Sequence, residues 1–125
     1  MKFTHHQLTF ELEDCWLSIA GMELFKPNNT CYSFSNQIDD RDVFIIDITD
    51  IAPCILRSKL KGVFCDKSPQ ITAQDRVVSI LEGFRDNSLM QPIEVKYYGG
   101  NDGYIYEMYH GSHRLHCSIA AGFTH

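Results

Sequence analysis

Four consecutive residues, Gly111-Ser112-His113-Arg114, hold the densest set of reactive and ligand-binding groups in this sequence. Glycine permits positive φ or a close backbone approach to a ligand. The residues after it read as the start of a helix, whose first N–H groups and positive dipole end favour an anion. The guanidinium of Arg114 is a planar, bidentate donor suited to phosphate. The imidazole of His113 can donate a further hydrogen bond or a proton. Together these groups make a small phosphate cradle. The plainer reading of the same residues is a strand–turn–helix junction, with Gly111 serving the turn and Arg114 solvated.

Four carboxylates, Asp47, Asp50, Glu94 and Glu107, are candidates for a general base or a magnesium ligand. Phosphoryl transfer needs a metal and a group that positions the nucleophile. Asp47 and Asp50 flank the end of an isoleucine-rich segment, and with His113 they are the preferred catalytic residues. Carboxylates of this kind also occur simply as solvated strand ends. His110, His113, His116, Cys117 and His125 crowd the tail, and His113 and Cys117 share a helix face at i, i+4. That spacing suits a metal only if several ligands converge. The other reading is phosphate-site and surface side chains, and no metal ligand is assigned. Tyr97, Tyr98, Tyr104, Tyr106 and Tyr109 read as hairpin surface and core, with base stacking as the alternative.

The elements that position these groups follow from short-range signals. Thr72 with Asp75 three residues on resembles a capping box. Val77, Ile80, Leu81 and Phe84 then form one apolar helical face, ended by Asn87-Ser88. Pro92 to Tyr98 reads as a strand, Gly99 to Gly103 as a turn and Tyr104 to Tyr109 as the returning strand. Ser112 to Ala121 reads as a helix closed by Gly122. Val43 to Ile48 is the clearest strand core by composition, limited by Pro53. Earlier in the chain, Gln7 to Leu12 alternates as a short strand or lead-in. Asp14 reads as the N-cap of a helix from Cys15 to Ala20, stopped at Gly21. Residues 26–42 read as loop and 54–71 as an irregular connection. The apolar residues Trp16, Leu17, Ile19, Met22, Leu24 and Phe25 either pack over the sheet or form an exposed patch. The fold class is α+β.

The order of helix, Pro92-Ile93-Glu94-Val95 strand, glycine-rich turn, aromatic strand and then Gly111-x-His113-Arg114 running to Gly122 resembles the ParB/sulfiredoxin superfamily. Ile45-Ile46-Asp47-Ile48, running to Pro53, looks like that fold's opening strand. The resemblance covers residues 43–125, with residues 1–42 as an amino-terminal extension, and the nearest likeness is to small single-domain ParB-like nuclease-domain proteins. It implies a small mixed sheet with helices packed around it and a groove for ATP or another nucleotide, with Mg²⁺. Gly111, Ser112, His113 and Arg114 would contact phosphate. Arg76 and Ser79, at i and i+3 on one helix face, resemble the lysine and serine with which sulfiredoxins also hold ATP.

Members of the superfamily include sulfiredoxins, free serine kinases, CTP-binding ParB proteins and proposed nucleases. The implied activity is an ATP-dependent phosphotransferase or phosphohydrolase acting on a small substrate. The alternatives are a non-catalytic nucleotide-binding regulatory module and a ParB-like nuclease. Two departures bear on the choice. Ser112 stands where sulfiredoxins place their reactive cysteine, and a hydroxyl cannot replace a thiolate. His110 stands where many members have Asp, which favours binding without catalysis.

Composition narrows the partners. The chain has 125 residues, 44% hydrophobic and 22% charged, which is ordinary globular usage and enough for one core. Eleven Lys and Arg against 16 Asp and Glu, a net charge of −5, disfavour a grip on nucleic-acid phosphates. No apolar run approaches the length of a membrane helix. Five widely spaced cysteines predict free thiols and a reducing, cytoplasmic setting. Oligomeric state is not encoded in any of these features.

Overall fold

Thr72 and Asp75 close the expected capping box. The Thr72 hydroxyl accepts from the Asp75 N–H and the Asp75 carboxylate accepts from the Thr72 N–H, both at 3.2 Å. This computed structural model describes residues 1–35, 43–53, 63–98 and 103–125. The capped helix, α2, spans Ala73–Arg85. It buries Val77, Val78, Leu81 and Phe84, and Ile80 packs half-buried beside them. An earlier helix, α1, spans Asp14–Ala20 and a later one, α3, spans Ser112–Ala121. Glu13 occupies the N-cap of α1, so Asp14 lies inside its first turn. Gly21 and Gly122 end α1 and α3 in the left-handed conformation that glycine adopts without strain.

Among the described residues the fold is α+β, with three α-helices and two small antiparallel sheets. Strand β1 (Lys2–His5) pairs with β2 (Leu8–Glu11) in the register Lys2↔Glu11 to His5↔Leu8. Strand β3 (Glu94–Tyr97) pairs with β4 (Tyr106–His110), placing Val95 opposite Met108 and Tyr97 opposite Tyr106. Gly99 to Asp102, most of the expected turn, lie outside the described residues, as do 36–42 and 54–62, which include Cys54, Arg57, Lys59 and Lys61.

The expected strand at Val43–Ile48 is a correction. Residues 43–47 have no regular structure, and Ile48–Asp50 form a 3₁₀ turn. The Asp47 carboxylate caps that turn, accepting from Thr49 N–H at 2.9 Å and Thr49 Oγ1 at 2.7 Å. Such local side-chain bonding competes with a strand ladder. Pairing begins only beyond the turn. Ile51 bridges Tyr106 in parallel, Ala52 N–H donates to the Tyr106 carbonyl at 2.8 Å, and Ile105 N–H donates to the Asp50 backbone carbonyl at 3.0 Å.

One core cluster joins the amino-terminal segment to the rest. Leu12, Ala20, Met22 and Tyr32 pack with Ile48, Ile51, Leu81 and Leu115. Helix α1 lies on α2, not on a sheet, with Trp16 and Leu17 half-buried against the core. Ile19 and Leu24 of the same apolar stretch face outward. Cys15, Cys31, Cys65 and Cys117 are free thiols. No helix among the described residues is long and apolar enough to cross a membrane.

Candidate functional site

Strand β4 ends at His110 and α3 begins at Ser112, so Gly111 is the junction between them. Gly111 has φ +106°, and a β-carbon there would lie 3.1 Å from Arg114 Nη2 and 3.4 Å from its Cζ. The glycine therefore makes room for the guanidinium that folds back across it. Arg114 Nη1 donates to the carbonyls of Gln91 at 2.6 Å and Pro92 at 3.1 Å. Nε and Nη2 have no acceptor among the described residues, nor do the backbone N–H groups of Ser112 and Arg114. Arg114 is thus pinned by one nitrogen and keeps the other side of its fork, in contrast to the fully solvated alternative.

His113 is buried, and its Nε2 accepts from the Cys65 N–H at 3.1 Å. A nitrogen that accepts from an amide carries a lone pair, which puts the neutral ring's proton on Nδ1. Sequence reading expects His113 as a donor; in this arrangement Nε2 is an acceptor. The same Cys65 peptide serves Arg76, whose Nη1 donates to the Cys65 carbonyl at 3.2 Å and lies 3.8 Å from Cys65 Sγ. One residue of the 63–66 segment thereby holds two expected site residues, one from α2 and one from α3. Phe64 anchors that segment, its ring edge-on to Phe10, Trp16 and His113.

A cleft of about 1570 Å³ runs between α2, the β3–β4 sheet and the start of α3. Arg76, Ser79, Gly111, Ser112, His113 and Arg114 all line it. The remaining wall is largely apolar, including Ile46, Ile48, Ile51, Ile80, Met90 and Val95. Tyr97 and Tyr109, both well exposed, stand at its rim, and Lys96 Nζ sits 4.0 Å over the Tyr109 ring. Asp47 and Asp50 are not among the lining residues. The Asp47 carboxyl is held below the usual carboxylate range by the Thr49 hydroxyl and N–H. Of the four carboxylates singled out in the sequence, Glu94 lines the cleft, and Glu107 is exposed opposite Lys96.

The tail histidines diverge. His116 is fully buried, its Nδ1 donating to the Ser112 carbonyl at 2.7 Å while Phe10 and Phe64 stand edge-on to its ring. Cys117 is fully buried, and burial pushes its thiol far up. Among the described residues no three of His, Cys, Asp and Glu form a group able to hold a metal.

Three residues of this neighbourhood escape sequence reasoning. The Gln91 carbonyl holds Arg114 and also accepts from the Tyr32 hydroxyl, and Cys65 holds His113 and Arg76. Their contributions are carbonyls, one amide and one phenol brought in by tertiary contact, and no local motif marks them. No family model, curated protein or solved structure matches this chain.

Proposed function

We propose that this protein holds a nucleotide in the cleft by its phosphates, on a fold of ParB/sulfiredoxin type. The observation that carries the reading is that all six residues implied by the resemblance, drawn from α2 and from the turn into α3, line one cleft. The N–H groups of Ser112 and Arg114, with the open side of the Arg114 fork, are the donors for phosphate oxygens. Arg76 adds a second positive charge and Ser79 a hydroxyl. Stacking against Tyr97 or Tyr109 is the means of holding the base. The parallel bridge of Ile51 with Tyr106 supports the fold part of the reading.

Binding without turnover is favoured over phosphoryl transfer by one further observation. The Asp47 carboxylate is committed to Thr49, and neither Asp47 nor Asp50 lines the cleft. The excess of acidic over basic residues weighs against a nuclease.

A thermal-shift panel of ATP, ADP, CTP and inorganic phosphate, each with and without Mg²⁺, is the test. A ligand at a hundredfold excess over its Kd stabilises the folded state by about 2.7 kcal/mol. At least one nucleotide should raise the transition, and more than phosphate does. A flat response across the panel sinks the reading. Phosphate release from ATP in a parallel assay would replace the binding module with the phosphohydrolase.

A further inference from the structure

The hairpin of β1 and β2 ends in a two-residue turn, His6-Gln7, with His6 at φ +55°. Primed hairpin turns favour glycine at such a position, and a side chain there costs about 1–2 kcal/mol. The ring of this strained residue is used: His6 Nε2 donates to the Thr49 carbonyl at 2.7 Å and packs edge-on to Tyr104. Its neighbour His5 is buried and donates from Nε2 to the Ile51 carbonyl at 2.9 Å. Two adjacent imidazoles therefore grip two nearby carbonyls, those of Thr49 and Ile51, in one short segment. Ile48 and Ile51 of that segment are wall residues of the cleft.

We propose that His5 and His6 clip the 48–51 wall of the cleft in place, and that a second proton on buried His5 loosens the clip in acid. Both rings donate to carbonyls through Nε2, so in the neutral form of His5 the lone pair is on Nδ1. A second proton on His5 would need an acceptor at Nδ1, and none stands there among the described residues. The titratable groups around it are His6, Tyr104 against His6, Asp47 and Asp50 on the gripped segment, and His116 of α3, whose ring faces Phe10 of β2. Of these, His6 alone acts on His5 by charge, and it opposes a positive ring.

Burial first, and then His6, hold the His5 pKa below its ordinary 6.5, against the opposing bond to Ile51. A detached His5 returns to the ordinary value. Protons therefore bind the open form more tightly, and the clip weakens as pH falls below 6.5. Opening is confined to the hairpin tip. Its base is fixed by buried Phe10 and Leu12, and by the Met1 amino group on the Leu12 carbonyl at 2.8 Å.

Histidine titration and amide exchange of the full chain by NMR, between pH 7.5 and 5.5, test the clip. The His5 ring should titrate below 6.5. Protection of the Ile51 and Ala52 amides, corrected for intrinsic exchange, should fall across that range by up to about tenfold, the ceiling set by a free imidazole titrating near 6.5. His5→Gln keeps a donor and removes the proton, so its protection should be independent of pH. His6→Gly relieves the turn and loses one grip; it should lower protection at every pH while keeping the His5 step. Parallel loss in wild type and His5→Gln overturns the clip. Should His5→Gln fail to fold, a wild-type His5 midpoint at or above 6.5 overturns it equally.

Discussion

Tyr32 and Arg114 donate to the same oxygen. The Tyr32 hydroxyl and Arg114 Nη1 each lie 2.6 Å from the Gln91 carbonyl. A phenol from the amino-terminal third is thereby tied to the guanidinium that borders the cleft, through a backbone atom belonging to neither. The arrangement fixes where the fork of Arg114 can point. It also places a positive charge near a buried phenol.

Tyr32 has its pKa raised to about 12, chiefly by burial, with Arg114 opposing the shift. An unfolded tyrosine ionises near 10. Between those values the native state binds the proton that the unfolded state has lost, so this contribution to stability declines as pH rises from about 10. Tyr32→Phe should cost about 0.5–1.5 kcal/mol at neutral pH through the lost hydrogen bond. It should also flatten the alkaline decline. Urea unfolding midpoints at pH 7 and pH 11, compared with wild type, measure both. An unchanged alkaline slope would show that Tyr32 is not the titrating group.

Arg114→Ala should weaken nucleotide binding by about 1.5–3 kcal/mol, the worth of charge-assisted hydrogen bonds to phosphate. Lys2→Ala is the control, because Lys2 is exposed on β1 and does not line the cleft. Screening makes such a distant charge nearly irrelevant at physiological salt. Isothermal titration with ATP separates the two variants. Equal losses would indicate a diffuse field in place of a cradle.

Gly111→Ala and Gly103→Ala make a matched pair, both at positive φ. A β-carbon at Gly103 meets no described atom within 4 Å, so alanine there carries only the backbone cost, about 1–2 kcal/mol. At Gly111 the same carbon also presses on the Arg114 guanidinium, 3.1 Å away. The Gly111 variant should therefore lose more stability in chemical denaturation, and lose phosphate affinity besides. Equal destabilisation of the two, with affinity intact, would show the cradle tolerates a side chain.

The legible part of this protein was its local part. The Thr72–Asp75 box, the glycine at each end of α3 and the strands of the β3–β4 hairpin are settled by groups within a few residues of one another. Local signals place Arg76 and Ser79 on one helix and Gly111 to Arg114 at the start of another, but only the packing of those helices brings all six to one cleft. Val43–Ile48 reads as a strand but forms none, for a physical reason. β-Branched residues favour a strand only where a partner edge exists, and here Asp47 turns the chain before Ile51 reaches Tyr106. Strand β1 was invisible on the same ground, since a four-residue strand is defined by its partner, β2. Whether Arg114 pointed to solvent or folded over Gly111 was decided only by tertiary structure, through the carbonyls of Gln91 and Pro92. So was the state of His113, which depends on an amide 48 residues away. Helix caps and glycine turns are written in neighbouring side chains and dihedrals. A hydrogen bond to a distant backbone atom carries no mark in residue type, because every residue but proline has the same amide and carbonyl to offer.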